Sequence, residues 1–149
     1  MVRNGLLLLH LLSAIAWLGG MFFAHFCLRP AAVKLLAPPQ RLPLMTAALG
    51  SFLRYMAVAV TVLVLTGLAM FMDSGWARAP LGWQVMLVVG LAMAAVFGYV
   101  YGVHYPRLRA RCEAGAWAEA AQVLNRIRQL VVTNLVLGLV VVVAAASAR

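Results

Sequence analysis

Residues 6–28, LLLLHLLSAIAWLGGMFFAHFCL, form one apolar run without an acid, a lysine or an arginine. A run of this length crosses a bilayer, which takes about 20 apolar residues per helix. It does contain two histidines, His10 and His25. An ionisable group in hydrocarbon is costly, so each marks a candidate site. Fifteen residues separate them, or about 22 Å along a helix, which puts them near opposite faces of the membrane. At about 100° per residue their azimuths differ by roughly 60°, so both can look into one bundle interior. Ala14, Trp17 and Met21 fill the strip between them, and Ala16, Gly20 and Ala24 make a small-residue stripe on a neighbouring face.

The rest of the chain has the same character. Of its 149 residues 66% are hydrophobic and 10% are charged, which is the composition of an integral membrane protein. Asp73, Glu113 and Glu119 are the only acids, against twelve lysines and arginines. In a soluble chain that excess would suggest nucleic acid. Here the bases sit beside apolar spans, so topology and anionic lipid account for them and no nucleic-acid partner is expected. The only cysteines, Cys27 and Cys112, have no zinc-site spacing. Arg3 and the leucines after it resemble a signal peptide, but the apolar run continues through Gly19 and Gly20 to Leu28.

Four spans are expected in a single membrane domain over 1–149, at about 5–28, 52–72, 82–104 and 130–146. Arg29-Pro30 and Tyr105-Pro106 are read as the stops of the first and third. The stretch with Pro38, Pro39 and Pro43 reads as a short interfacial helix, and Asp73-Ser74-Gly75 ends the second span. Trp76 and Trp83 suit the aromatic belt at a membrane surface. Residues 112–128 read as an amphipathic helix running directly into the fourth span. No convincing repeat is legible. Nine bases fall beside the two longer loops and three (Arg3, Arg78, Arg149) on the opposite side. That asymmetry predicts both longer loops inside and both termini outside, periplasmic in a bacterial inner membrane. The fold class expected is all-α, four transmembrane helices in an up-down-up-down bundle, with spans one and three parallel and diagonal.

Two pairs of donors follow from depth. His25 and His104 lie at the inner ends of spans one and three, and His10 and Met86 lie near the outer ends. Imidazole–imidazole and imidazole–thioether are both axial pairs for haem iron. Gly98 and Gly102 leave room beside His104, and Arg29, Arg54 and Arg107 are placed to meet propionates at the inner rim. Each feature also has a plainer use. A histidine near a span end can meet headgroup water, methionine fills gaps in apolar cores, and arginines set topology. A different set, Met70 and Met72 with His10 and Met86, offers soft donors that suit Cu(I). No phosphate loop, carboxylate pair or nucleophile elbow appears.

The segments around His10-Leu-Leu-Ser-Ala-Ile-Ala-Trp17-Leu-Gly-Gly20, Leu28-Arg29-Pro30, Pro39-Gln-Arg41-Leu-Pro43, Phe52-Leu-Arg54, Thr66-Gly67, Pro106-Arg-Leu-Arg and Arg126-Ile-Arg-Gln-Leu130 resemble the CopD-type membrane family. The first span is also similar to HemJ-type protoporphyrinogen oxidases, where the residue matching His10 is a proposed haem ligand. The resemblance implies a four-span inner-membrane protein, with haem b in some branches and copper uptake in others. Relatives often carry histidine near the start of span three, where this chain has Gln84 and Met86, and Tyr101 stands where some have histidine. The leading expectation is a cytochrome-like protein with one or two haems b, acting in electron transfer or in oxidation of a porphyrin or quinol substrate. The alternatives are a copper-transport or copper-tolerance protein and a non-catalytic membrane subunit. Membrane lipid and a second copy of the chain are the other expected partners.

Overall fold

The computed structural model describes residues 2–147; Arg149, counted above on the outer side, lies outside them. All regular structure among the described residues is helical, and four long apolar helices carry it. They are α1 (Val2–Leu35), α2 (Pro38–Ser74), α3 (Leu81–Glu113) and α4 (Trp117–Ser147). Short connections make sequence neighbours antiparallel. The main packing pairs are α1 with α2 and α3 with α4, and α1 and α3 stand across the bundle from one another. The helices thus form a four-helix membrane bundle. Leu8, Ile15, Leu65, Val88 and Val143 are exposed around its outside, an apolar girdle suited to lipid.

Both expected stops fail, for one physical reason. A proline inside a helix lacks the N–H for an i→i−4 bond, and its ring meets the carbonyl four residues back. Here a π-turn just before each proline absorbs the misfit. Residues Ala24–Leu28 are π-helical, and the Arg29 N–H bonds to the Ala24 carbonyl. Val100–His104 repeat this, with the Tyr105 N–H on Val100. The helices then continue past Pro30 to Leu35 and past Pro106 to Glu113. Such π-turns are rare and occur often at functional sites.

The second difference is in α2. The proline-rich stretch is not a separate interfacial helix but the first turns of a 37-residue helix. Pro38 and Pro39 occupy the opening positions, where a missing N–H costs nothing. Gly75 closes this helix with φ 73 and Gly115 closes α3 with φ 66, a region that glycine enters without penalty. Gln84 pins the 75–80 connection by donating to the Trp76 and Ala79 carbonyls at 3.2 and 3.1 Å, and so serves the turn.

The two halves of the chain share a plan that composition conceals. Each is a helix with a π-turn before proline, followed by a second long helix. Counted back from Pro30 and Pro106, His10 matches Met86 and Trp17 matches Met93. The central core forms at this level, from Trp17, Met21, Met56, Val60 and Met93. A second core lies nearer the arginine-rich end, around Leu42, Leu53, Val100, Leu108 and Ile127. There the Cys112 thiol donates to Thr46 Oγ1 at 3.2 Å, because the Thr46 hydroxyl already donates to the Leu42 carbonyl.

Candidate functional site

The bundle encloses two chambers, one toward the end that holds the N-terminus and one toward the arginine-rich end. All four helices contribute to the first. It is lined by His10, Trp17, Gly67, Met86, Met93 and Gly138 among others, and its volume is about 80 Å³. That space holds an ion with a few waters, each needing about 10–15 Å³. It is well below the roughly 300–1,000 Å³ of pockets that take larger organic ligands.

His10 is held by α2. Its Nδ1 lies 3.0 Å from Thr66 Oγ1. The Thr66 hydroxyl donates to the Val62 carbonyl at 2.7 Å, so its oxygen accepts and Nδ1 carries the proton. This fixes the tautomer and leaves the Nε2 lone pair free, the usual way an outer partner prepares a histidine for a metal. Gly67 completes the arrangement, since a Cβ there would stand 3.0 Å from His10 Cε1. Across the chamber Met86 and Met93 bring thioethers from α3. Asn134 of α4 steadies that wall by donating to the Met93 carbonyl at 3.1 Å. His10 and Met86 lie at one depth and Met93 two turns, about 10 Å, deeper. The chamber thus offers one imidazole and one thioether at its outer level, donors that suit a soft cation, and a second thioether below.

Met70 and Met72 do not join it. Phe71 between them lines the chamber, while Met72 is 79% exposed. Residues two apart on a helix point about 200° apart, so a Met-x-Met pair cannot put both sulfurs on one site.

The second chamber is larger, about 450 Å³, and lies between α1, α2 and α4. His25, Met45 and Phe52 line it, with Arg29, Arg41 and Arg128 at the rim. His25 Nδ1 is buried without a partner. His104 lines neither chamber. It is buried on α3, its ring edge-on to Tyr99 at 4.8 Å, and its Nε2 is also unpartnered. The structure therefore does not bring His25 and His104 into one cavity. Arg54 and Arg107 are exposed away from the rim, Arg54 bonding Ser51. Gly98 and Gly102 are exposed too, with nothing within 4 Å of where a Cβ would stand, so they leave no slot inside the bundle.

Between the chambers the centre is closed. Trp17 meets Phe97 edge-to-face at 6.0 Å, and Met21 and Met56 fill the same layer. Among the described residues no cluster of three or more histidines, cysteines or acids is present. The geometry thus defines a multi-pass membrane protein with one soft-donor chamber, one arginine-rimmed chamber and a methionine-filled layer between. The chain belongs to the copper resistance protein D (CopD) family, whose model matches residues 46–148. No curated protein and no solved structure matches it.

Proposed function

We propose that this protein handles copper in a bacterial inner membrane and takes up Cu(I) at His10 and Met86, with Met93 about 10 Å deeper along the same chamber. The observation that carries this reading is the imidazole oriented by Thr66 in a chamber of ion size that methionines of α3 also line. Membership of a copper resistance family supports it. Thioether and imidazole prefer Cu(I) to the harder cations. Met21 and Met56 in the closed layer, and Met45 in the second chamber, continue soft donors along the bundle, which suits copper as cargo.

A haem b reading, with electron transfer or porphyrinogen or quinol oxidation, draws on one observation, the His25 imidazole in the wall of the larger chamber. It would have to proceed without His104, and the likeness to HemJ-type oxidases stands behind it only through the first span. The smaller chamber favours an ion.

The test is a Cu(I) titration of the purified full-length protein against a competing chromogenic chelator under reducing, anaerobic conditions. Wild type should retain Cu(I) and show no Soret band. The Met86→Leu/Met93→Leu double variant keeps volume and apolarity, and should bind about 10- to 100-fold more weakly. Equal affinity in wild type and double variant, or a stoichiometric Soret band, would overturn the copper reading.

The arginine-rich end belongs in the cytoplasm by the distribution of bases. Ala114 is exposed in the α3–α4 connection. An Ala114→Cys variant should therefore react with an impermeant maleimide in inverted vesicles and not in intact cells. Labelling in intact cells would reverse the orientation.

A further inference from the structure

The arginine-rimmed chamber has a chemistry of its own, independent of the copper reading. Arg29 from α1, Arg41 from the first turns of α2 and Arg128 from α4 converge on its rim. Three acids exist in the whole chain, and none serves these arginines. Glu113 pairs with Arg109 and Glu119 with Arg111, while Asp73 is at the opposite end of the bundle. Among the described residues no carboxylate lies within ion-pair distance of the three. The only side-chain partner of Arg128 is the amide oxygen of Asn125, at 2.7 Å.

Below the rim the walls turn apolar, through Leu28, Met45, Leu124 and Phe52. His25 lies four residues before Arg29, about 6 Å deeper along the helix, and its Nδ1 is buried without a hydrogen bond. Gly20 marks the floor, about 14 Å below Arg29 by helix rise. Two lining residues, Phe23 and Val33, are 57% and 48% exposed on the outside of the bundle. The chamber thus opens sideways into the bilayer.

We infer that this chamber binds one anionic phospholipid. Its phosphate meets Arg29, Arg41 and Arg128 at headgroup level. One acyl chain runs down past His25 to Phe52 and Gly20. Basic pockets between membrane helices on the cytoplasmic side take acidic headgroups by this combination of charge and apolar depth. The sideways mouth selects a ligand already in the membrane, and the unpaired arginines select an anionic one.

The experiment uses the full chain in nanodiscs of phosphatidylcholine and phosphatidylglycerol in equal amounts, released into mild detergent for native mass spectrometry. Wild type should retain one phosphatidylglycerol in preference to phosphatidylcholine. The Arg29→Gln/Arg128→Gln variant should retain it roughly tenfold less. Arg54→Gln and Arg107→Gln, which leave the rim untouched, should match wild type. Thermal melts in detergent separate lipid binding from misfolding. Added phosphatidylglycerol should raise the Tm of wild type and leave that of the double variant unmoved. Equal retention of the two lipids by wild type would overturn the inference. So would the same Tm rise in the double variant, or a bound tetrapyrrole lost from that variant.

Discussion

His10→Leu should lower Cu(I) affinity by on the order of 100-fold, the upper end of what disturbing a ligand's support costs, while the bundle stays folded. Leucine keeps the bulk that fills the space beside Gly67, where His10 Cε1 now sits. The polar contacts given up are those to α2, the hydrogen bond to Thr66 and the one to the Leu63 carbonyl. Inside a membrane such bonds average only about 0.6 kcal/mol, so the melting temperature should barely move. Thr66 itself is not left stranded, since its hydroxyl bonds the Val62 carbonyl. Thr66→Val, which frees the ring without removing it, should cost about tenfold in affinity. The ordering His10→Leu worse than Thr66→Val, read by chelator competition beside a thermal melt, is the expected result. Unchanged affinity in His10→Leu would remove the imidazole from the site.

Gly50→Leu should do the reverse, damaging the fold far from the soft donors. Gly50 is buried on α2 where the Tyr105 ring of α3 lies flush against it. A Cβ there would stand 2.8 Å from Tyr105 Cζ and collide with the hydroxyl. A planar ring cannot bend out of the way, and Tyr105 directly follows the second π-turn, so its displacement disturbs the joint itself. Overpacking of this kind costs about 1–3 kcal/mol, visible as a lower Tm. Gly98→Ala is the matched control. Nothing lies within 4 Å of where its Cβ would stand, and alanine is favoured over glycine within a helix by about 0.5–1 kcal/mol. A Gly50→Leu protein that melts like wild type would show that Tyr105 has room to move.

The four helices were legible in the sequence because apolar runs of bilayer length have no other stable home. His10 and Met86 were legible as a pair at one depth, because both lie in unbroken α-helix on the terminal side of each π-turn. His25 and His104 were not. Their azimuths were read at about 100° per residue, but each falls within a π-turn, one near its start and the other at its end. A proline in the sequence signals a stop and gives no notice that the helix will widen and go on. The arginines failed for a related reason. Counting bases assigns a side of the membrane and says nothing of azimuth, so Arg54 and Arg107 stood in for Arg41 and Arg128. Thr66 was quoted only as part of a resemblance. A threonine in a span ordinarily bonds its own helix, and nothing local shows that its oxygen also accepts from His10.

Each π-turn stores one surplus residue, and a surplus residue is worth about a third of a revolution. Everything beyond Pro30 or Pro106 is therefore turned by that amount relative to a plain helix. The π-turn works as a register shifter between the leaflets. Donors on the terminal side keep their aim at one another, while Arg29 takes the aim its own surroundings require. Either end of the protein can thus change its side chains, or rotate them, without re-indexing the other.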